Sequence, residues 1–114
     1  MNSFYHAKKS AKKWGGEPEE YQKIHDWFDS SSIAHGDVRH RSLLHHTFGI
    51  HLCVQVFGTT LKLNCGKEVP VKEIAEQHVL DDLGRIPSPS DYINNMNLAQ
   101  WMGGKLRKSR RIKW

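Results

Sequence analysis

The first 29 residues predict two amphipathic helices. Ser3 can cap the first one, and Gly15 with Gly16 ends it. Its apolar positions lie on one side, opposite four lysines, at Phe4, Ala7 and Ala11. The second helix covers 18–29, where Pro18 suits the first helical position. Its apolar residues recur at i, i+3 and i+7, at Tyr21, Ile24 and Phe28.

The stretch 37–57 is apolar around most of a helical circumference. It contains no proline and a single glycine, Gly49. A helix that is hydrophobic on all sides is typically buried, and Gly58 is a natural end for it. We therefore expect one continuous central helix over these residues.

The period then changes from helical to alternating. Residues 59–71 alternate apolar and polar positions around a turn-like segment at 64–67, which predicts a β-hairpin. Helical spacing returns at 72–83, and Ser88 can cap a short helix that reaches about Met96. The expected fold is mainly α, a small helical bundle with one inserted β-hairpin. Residues 1–104 form its single domain, and 105–114 form a basic tail.

The net charge of +5 comes entirely from this tail. Residues 1–104 hold 11 basic and 12 acidic residues, whereas 105–114 hold six basic residues and no acid. Such a tail can bind nucleic acid, an anionic membrane surface or an acidic protein such as a host factor, or it can be only solvated. The residues expected to contact nucleic acid are Lys105, Arg107, Lys108, Arg110, Arg111, Lys113 and Trp114.

The sequence also favours a cytoplasmic protein. Its apolar runs are shorter than the ~20 residues that cross a bilayer, and the N-terminus lacks the apolar core of a secretory signal. Two cysteines, Cys53 and Cys65, are too few for a disulfide scaffold. Cys53 falls in the central helix, where a buried thiol is inert.

Eight histidines are the main functional signal. Three predicted helices pair an imidazole with a carboxylate at i, i+3 or i+4, and these spacings share a helix face. Imidazole with carboxylate suits a divalent transition metal such as zinc or manganese. The candidate ligands are His25, Asp29, His40, His45, His46, His78 and Asp82. A metal-bound water could attack a phosphoester or nucleotide held by Arg39, Arg41 and Arg85.

Other interpretations of the histidines stay open. They can be structural residues of the core or metal-free acid–base groups, and His46 faces inward in the predicted helix. His25-Asp26 also has the dyad of HD-type phosphohydrolases, with His6 and Asp82 as its distant partners. His35 and His51 are the expected bystanders. The alternative to an enzyme is a non-enzymatic factor that binds nucleic acid or a host protein.

Several motifs together resemble a family of small hypothetical proteins of bacteria and tailed phages, classed as a domain of unknown function. The resemblance covers most of residues 5–102 and leaves out the tail. It implies a cytoplasmic protein of bacterial or phage origin and carries no activity. The motifs are His6-Ala-x-x-Ser10, Trp14-Gly-Gly-x-Pro18, Ile24-His-x-Trp27, Asp37-x-Arg-His-Arg-x-Leu-x-His-His46, Phe57-Gly58, Val69-Pro-Val71, Gln77-His78, Asp82-Leu-Gly-Arg-Ile-Pro87 and Trp101-Met102.

Overall fold

A computed structural model describes residues 2–103, which form helices and one antiparallel hairpin. The mainly α fold with an inserted hairpin is therefore confirmed. The α-helices are α1 (Ser3–Trp14), α2 (Pro18–Asp29), α3 (Thr47–Phe57), α4 (Val71–Leu83) and α5 (Pro89–Ile93). The strands are β1 (Thr60–Lys62) and β2 (Glu68–Pro70). Short 3-10 helices cover Ser30–Ile33, Val38–Leu43 and Gln100–Met102. The residues 105–114, on which the nucleic-acid prediction rests, lie outside the described part.

The helix ends follow local capping chemistry. Asn2, and not Ser3, caps α1, because its side chain accepts a hydrogen bond from the Tyr5 N–H. In α2, Pro18 occupies the first helical position, and Glu17 and Glu20 form a capping box. These signals place both helices within the predicted bounds.

The prediction of one continuous helix over 37–57 is wrong. The segment forms a 3-10 helix, breaks at 44–46 and restarts as α3. His46 starts α3, since its Nδ1 accepts a hydrogen bond from the Gly49 N–H. A local side-chain cap has thus replaced helix continuation, and apolar composition alone does not reveal such a cap. The prediction that this helix is buried on all sides is also only partly right. In α3, Ile50 and Cys53 are buried, but Phe48 and Val56 are exposed.

The hairpin leads directly into α4. Leu61 pairs with Val69 across β1 and β2. Val71, predicted as part of the hairpin, begins α4 with no intervening loop. The final helix, α5, ends at Ile93, short of the predicted Met96.

Helix α4 packs against α1, α2 and α3, and its position places it at the centre of the fold. The apolar core includes Tyr21, Phe28 and Ile74, which are fully buried. Five of the eight histidines are also buried: His6, His25, His45, His46 and His78. Within residues 2–103, the helices are all too short or too polar to cross a membrane.

Candidate metal centre

Two imidazoles and two carboxylates converge where α2, α4 and the break before α3 meet. Asp29 comes from the end of α2, and His45 lies in the break. His78 and Asp82 lie one turn apart on α4, so they share its inner face. One ligand atom from each of the four lies within 4.8 Å of the others. These four residues, which we call the quartet, all belong to the ligand set predicted from the sequence.

The distances between these atoms match the spacing of donors around one small cation. Nε2 of His78 lies 3.2 Å from Asp29 Oδ1 and 3.4 Å from Asp82 Oδ2. Nε2 of His45 lies 3.0 Å from the same Asp82 oxygen and 3.8 Å from the Asp29 oxygen. Tetrahedral coordination with bonds of about 2.05 Å places donors roughly 3.3 Å apart. The four residues therefore need little movement to hold a single ion.

The carboxylate of Asp82 is the electrostatic centre of this cluster. Its side chain is only 2 % exposed, whereas that of Asp29 is 30 % exposed. Burial would raise the pKa of Asp82, but hydrogen bonds from His45, His6 and His78 outweigh it and lower the pKa. Asp82 is therefore ionised, and Asp29 is on the solvent side of the cluster.

The pKa values of the two histidines in the cluster are shifted in opposite directions. Burial lowers the pKa of His78, but hydrogen bonds and charges from Asp29 and Asp82 outweigh it, so the net pKa is raised. Burial also lowers the pKa of His45, and here it exceeds the effect of Asp82. The two carboxylates thus favour a positive charge at His78, whether a proton or a bound cation. His45 is a neutral imidazole, the form that binds metals.

A hydrogen-bond chain behind His78 determines whether its Nδ1, the nitrogen that faces away from the carboxylates, carries a hydrogen. Gln77 donates through Nε2 to Asp81 Oδ2 at 2.8 Å, which identifies its Oε1 as the atom facing Ser10. The Ser10 hydroxyl donates to that oxygen and accepts from His25 Nε2, which is 2.8 Å away. Because His25 Nε2 carries the hydrogen, its Nδ1 accepts from His78 Nδ1 at 2.9 Å.

The neutral state of His25 determines which nitrogen of His78 carries a hydrogen. Burial, together with His78 and His6, lowers the pKa of His25 to about 3, so His25 is neutral and accepts a hydrogen bond at Nδ1. His78 Nδ1 therefore carries a hydrogen, and Nε2 is the nitrogen that faces the two carboxylates. Nε2 satisfies them only by carrying a proton or by binding a cation.

His6 supports Asp82 from the opposite side. Its Nε2 lies 3.1 Å from Asp82 Oδ1, and its Nδ1 lies 3.1 Å from Asp81 Oδ2. Lys9 reaches the other oxygen of Asp81 at 2.9 Å. His6, His25 and His78 also form a group close enough to hold an ion, but this group shares His78 with the first. The bond between His78 Nδ1 and His25 would have to break to use it, so the quartet is the better candidate.

Three predicted ligands are not brought into the quartet. His25 is the partner behind His78. His40 Nδ1 is 2.8 Å from the Ser31 hydroxyl, although its ring touches His45 at a centroid distance of 5.8 Å. His46 uses both nitrogens on backbone groups, since Nε2 donates to the Ser42 carbonyl at 3.0 Å. The break before α3 explains His40 and His46, because their expected positions assumed a continuous helix.

The His25-Asp26 dyad of the HD-type hypothesis does not form a centre. Asp26 faces away and accepts hydrogen bonds from Ser3 and Gln22. His35 and His51 are exposed, as expected of bystanders. Cys53 is buried, and burial raises the pKa of its thiol to about 12, which makes it inert as a nucleophile.

The three arginines predicted to bind phosphate line one cleft beside the quartet. Arg39 is held by Asp37 through Nε and a terminal nitrogen, the latter at 2.7 Å. Arg85 lies 3.1 Å from Asp91 Oδ2. Arg41 is the closest to the quartet, with its guanidinium 3.8 Å from Asp82 Oδ1.

The candidate ligand list drawn from the sequence omitted four residues that surround the quartet: His6, Ser10, Gln77 and Asp81. Ser10 and Gln77 are one turn from His6 and Asp81 on their helices, so each pair shares a face. That spacing was the available signal. The contact between α1 and α4 spans more than 70 residues of sequence and cannot be seen from local spacing.

Comparison with known proteins identifies the family but no activity. A family model described as "Domain of unknown function (DUF6915)" matches residues 1–102, so the chain belongs to that family. No curated protein and no solved structure matches the chain. The expected membership of an uncharacterised family is confirmed, and the bacterial or phage origin stays a prediction.

Proposed function

We propose that this protein binds one divalent transition-metal ion, zinc or manganese, through Asp29, His45, His78 and Asp82. The observation that carries the proposal is the convergence of four ligand atoms at distances suited to one ion. Two imidazole nitrogens and two carboxylate oxygens are donors that zinc and manganese both accept.

The electrostatics of the cluster support the same assignment. Two carboxylates with oxygens within 4.8 Å of each other repel unless positive charge lies between them. The chain through His25, Ser10 and Gln77 fixes a hydrogen on His78 Nδ1 and leaves Nε2 facing both carboxylates. Metal ligation by histidine commonly uses this arrangement, in which the second ring nitrogen donates to a partner and orients the ring.

We further propose that the bound ion serves hydrolysis of phosphoesters. The partial exposure of Asp29 gives water access to the cluster, and the arginine-lined cleft adjoins it. A divalent ion lowers the pKa of bound water towards about 7 and polarises a phosphoryl oxygen. Hydrolysis forms a bond from the water oxygen to phosphorus, breaks the bond to the leaving oxygen, and transfers a proton from water to the leaving alcohol.

The first test is the metal content of the purified protein. We expect one zinc or manganese ion per chain by elemental mass spectrometry after loading and desalting. Asp82→Asn and His78→Gln should weaken binding by more than the 10–100-fold typical of lost supporting contacts, because they remove donors. His51→Gln is the matched control, since His51 is exposed on α3 outside the quartet. Equal metal content in all four proteins would contradict the proposal.

Hydrolysis is tested separately with 4-nitrophenyl phosphate. We expect metal-loaded protein to release 4-nitrophenolate, and chelation or Asp82→Asn to abolish the release. Re-addition of the metal should restore activity in the wild type but not in the variant. A protein that binds the ion stoichiometrically and shows no turnover of this ester would refute the hydrolase proposal and leave the metal site standing.

A further inference from the structure

One cleft of about 790 Å³ opens beside the quartet, in the size range of small-molecule sites. We call it the arginine cleft. Its walls combine the guanidinium groups of Arg39, Arg41 and Arg85 with apolar side chains, which include Leu83, Pro87 and Met96. A cleft with this lining suits a ligand that has an anionic end and an apolar body.

The cleft is connected to the candidate metal centre through two of its own residues. Arg41 lines the cleft and also lies 3.8 Å from Asp82 Oδ1. Tyr92, another lining residue, donates its hydroxyl to the backbone carbonyl of His45 at 2.9 Å. Arg41 and Tyr92 therefore lie between the cleft and the two ligands Asp82 and His45, which do not themselves line it.

Among the three arginines, Arg41 is the one positioned to bind a ligand. Arg39 is committed to Asp37 by several hydrogen bonds, and Arg85 is bonded to Asp91. The 3.8 Å separation of Arg41 from Asp82 is an ion-pair distance and is too long for a hydrogen bond. Coordination of an ion by Asp82 would also draw the charge of that carboxylate away from Arg41.

We propose that the arginine cleft is the substrate site of the proposed metal centre, and that it binds a small organic phosphate with an apolar or aromatic body. Arg41 binds the phosphoryl oxygens at the end nearest Asp82, because a guanidinium matches two oxygens of a phosphate in one plane. The apolar body lies against Leu83, Tyr92 and Met96. The role of the cleft as a substrate site rests on the proposed function. Binding of the anion itself depends only on Arg41 and the other side chains that line the cleft.

The test measures binding of phenylphosphonate by calorimetry, because its carbon–phosphorus bond resists hydrolysis. Both the metal-free and the metal-loaded protein are titrated. We expect the wild type to bind phenylphosphonate more tightly than methylphosphonate, which lacks the ring, and more tightly than benzyl alcohol, which lacks the phosphoryl group. Arg41→Gln should weaken phenylphosphonate binding by about tenfold or more, the loss expected for a charge-assisted hydrogen bond.

Two further variants test whether phenylphosphonate binds through contacts in the arginine cleft or only through the overall positive charge of the protein. Lys12→Gln removes one positive charge from the exposed side of α1, outside the arginine cleft, and should leave the affinity within about twofold. Met96→Glu places a carboxylate in the cleft at a half-exposed position and should weaken binding without loss of folding. Circular dichroism checks the fold of each protein.

Two outcomes would overturn the inference. One is equal affinity in Arg41→Gln and Lys12→Gln, and the other is no phenylphosphonate binding by wild type in either form. Failure of the metal proposal is visible elsewhere, in the metal content, so the two failures are distinguishable. A protein that holds its ion and ignores phenylphosphonate would refute the substrate site alone.

Discussion

Gly49 shows how closely a single position can be constrained. It follows the break before α3, where the carbonyl of Leu44 folds over the first turn of the helix. A Cβ at Gly49 would lie 1.7 Å from the Leu44 oxygen and 2.5 Å from its carbon. Both atoms belong to the backbone, so no side-chain rotation relieves the overlap.

We therefore expect Gly49→Ala to destabilise the fold by about 3 kcal/mol, the upper part of the usual range for overpacking. The backbone that carries His45 would have to move. Denaturant unfolding followed by circular dichroism measures the change. Gly36→Ala is the control, because a Cβ there meets nothing within 4 Å. Equal stability of the two variants would show that the break is not tightly packed.

At the same scale, side-chain spacing predicted part of the candidate site. His78 and Asp82 were identified from their i, i+4 spacing, which survives in any regular helix. His6 was left out of the predicted ligands because its contacts with Asp81 and Asp82 depend on how α1 packs against α4. Residue spacing predicts which side chains share a face of one helix. It does not predict which face of another helix packs against them.

At the scale of single elements, the start of α2 is stabilised by hydrogen bonds to the carboxylate of Glu20. Glu20 accepts hydrogen bonds from the Glu17 N–H at 2.9 Å and from the Asn64 N–H at 2.7 Å. It therefore joins the first turn of α2 to the hairpin turn. These backbone donors lower the pKa of the Glu20 carboxyl.

A lowered carboxyl pKa gives stability that is present above the ordinary value and is lost as the pH falls through the folded value. We expect Glu20→Gln to lower the melting temperature by a few degrees at about pH 7. The difference from wild type should shrink on acidification and vanish once the Glu20 carboxyl is protonated in the folded protein. Thermal melts over a series of acidic pH values measure it. A constant difference at all pH values would show that the charge of Glu20 is not involved.

The control for this experiment is Glu19→Gln in the same turn. Glu19 is exposed in the first turn, where its charge interacts favourably with the helix dipole, but it lies outside the capping box. Its replacement should have a smaller effect at every pH.

Most elements could be predicted from the sequence because their ends carry explicit signals. Gly15 with Gly16, Pro18 and Gly58 lie at helix ends, and the alternation around Leu61 and Val69 marks the hairpin. The central segment could not be predicted in the same way. Its break depends on a histidine cap at His46, and histidine is not among the usual capping residues.

On the scale of the whole molecule, the candidate centre joins parts of the chain that are distant in sequence. Asp29 ends α2, His45 precedes α3, and Asp82 lies near the end of α4. An ion bound only by the folded chain adds stability that grows with the ratio of free ion to dissociation constant. At a hundredfold excess over that constant the gain is about 2.7 kcal/mol.

We expect zinc or manganese to raise the melting temperature by roughly 10 °C or more under those conditions, and a chelator to reverse the rise. Scanning calorimetry of metal-free and metal-loaded protein measures it. Asp82→Asn should melt at the same temperature with and without the metal. A rise of the same size in that variant would mean that the ion acts elsewhere on the chain.

The direct junction between β2 and α4 has a consequence for how this chain can diverge. Pro70 ends the strand, and the Val71 N–H that begins the helix is bonded to the Thr59 carbonyl at 3.0 Å. One inserted residue between Val71 and Gln77 would turn everything beyond it by about 100° around the helix axis. With no loop to absorb the change, His78 and Asp82 would face away from Asp29 and His45. We therefore expect descendants of this sequence to vary at the exposed positions Lys72 and Glu73, but to keep the number of residues between β2 and His78.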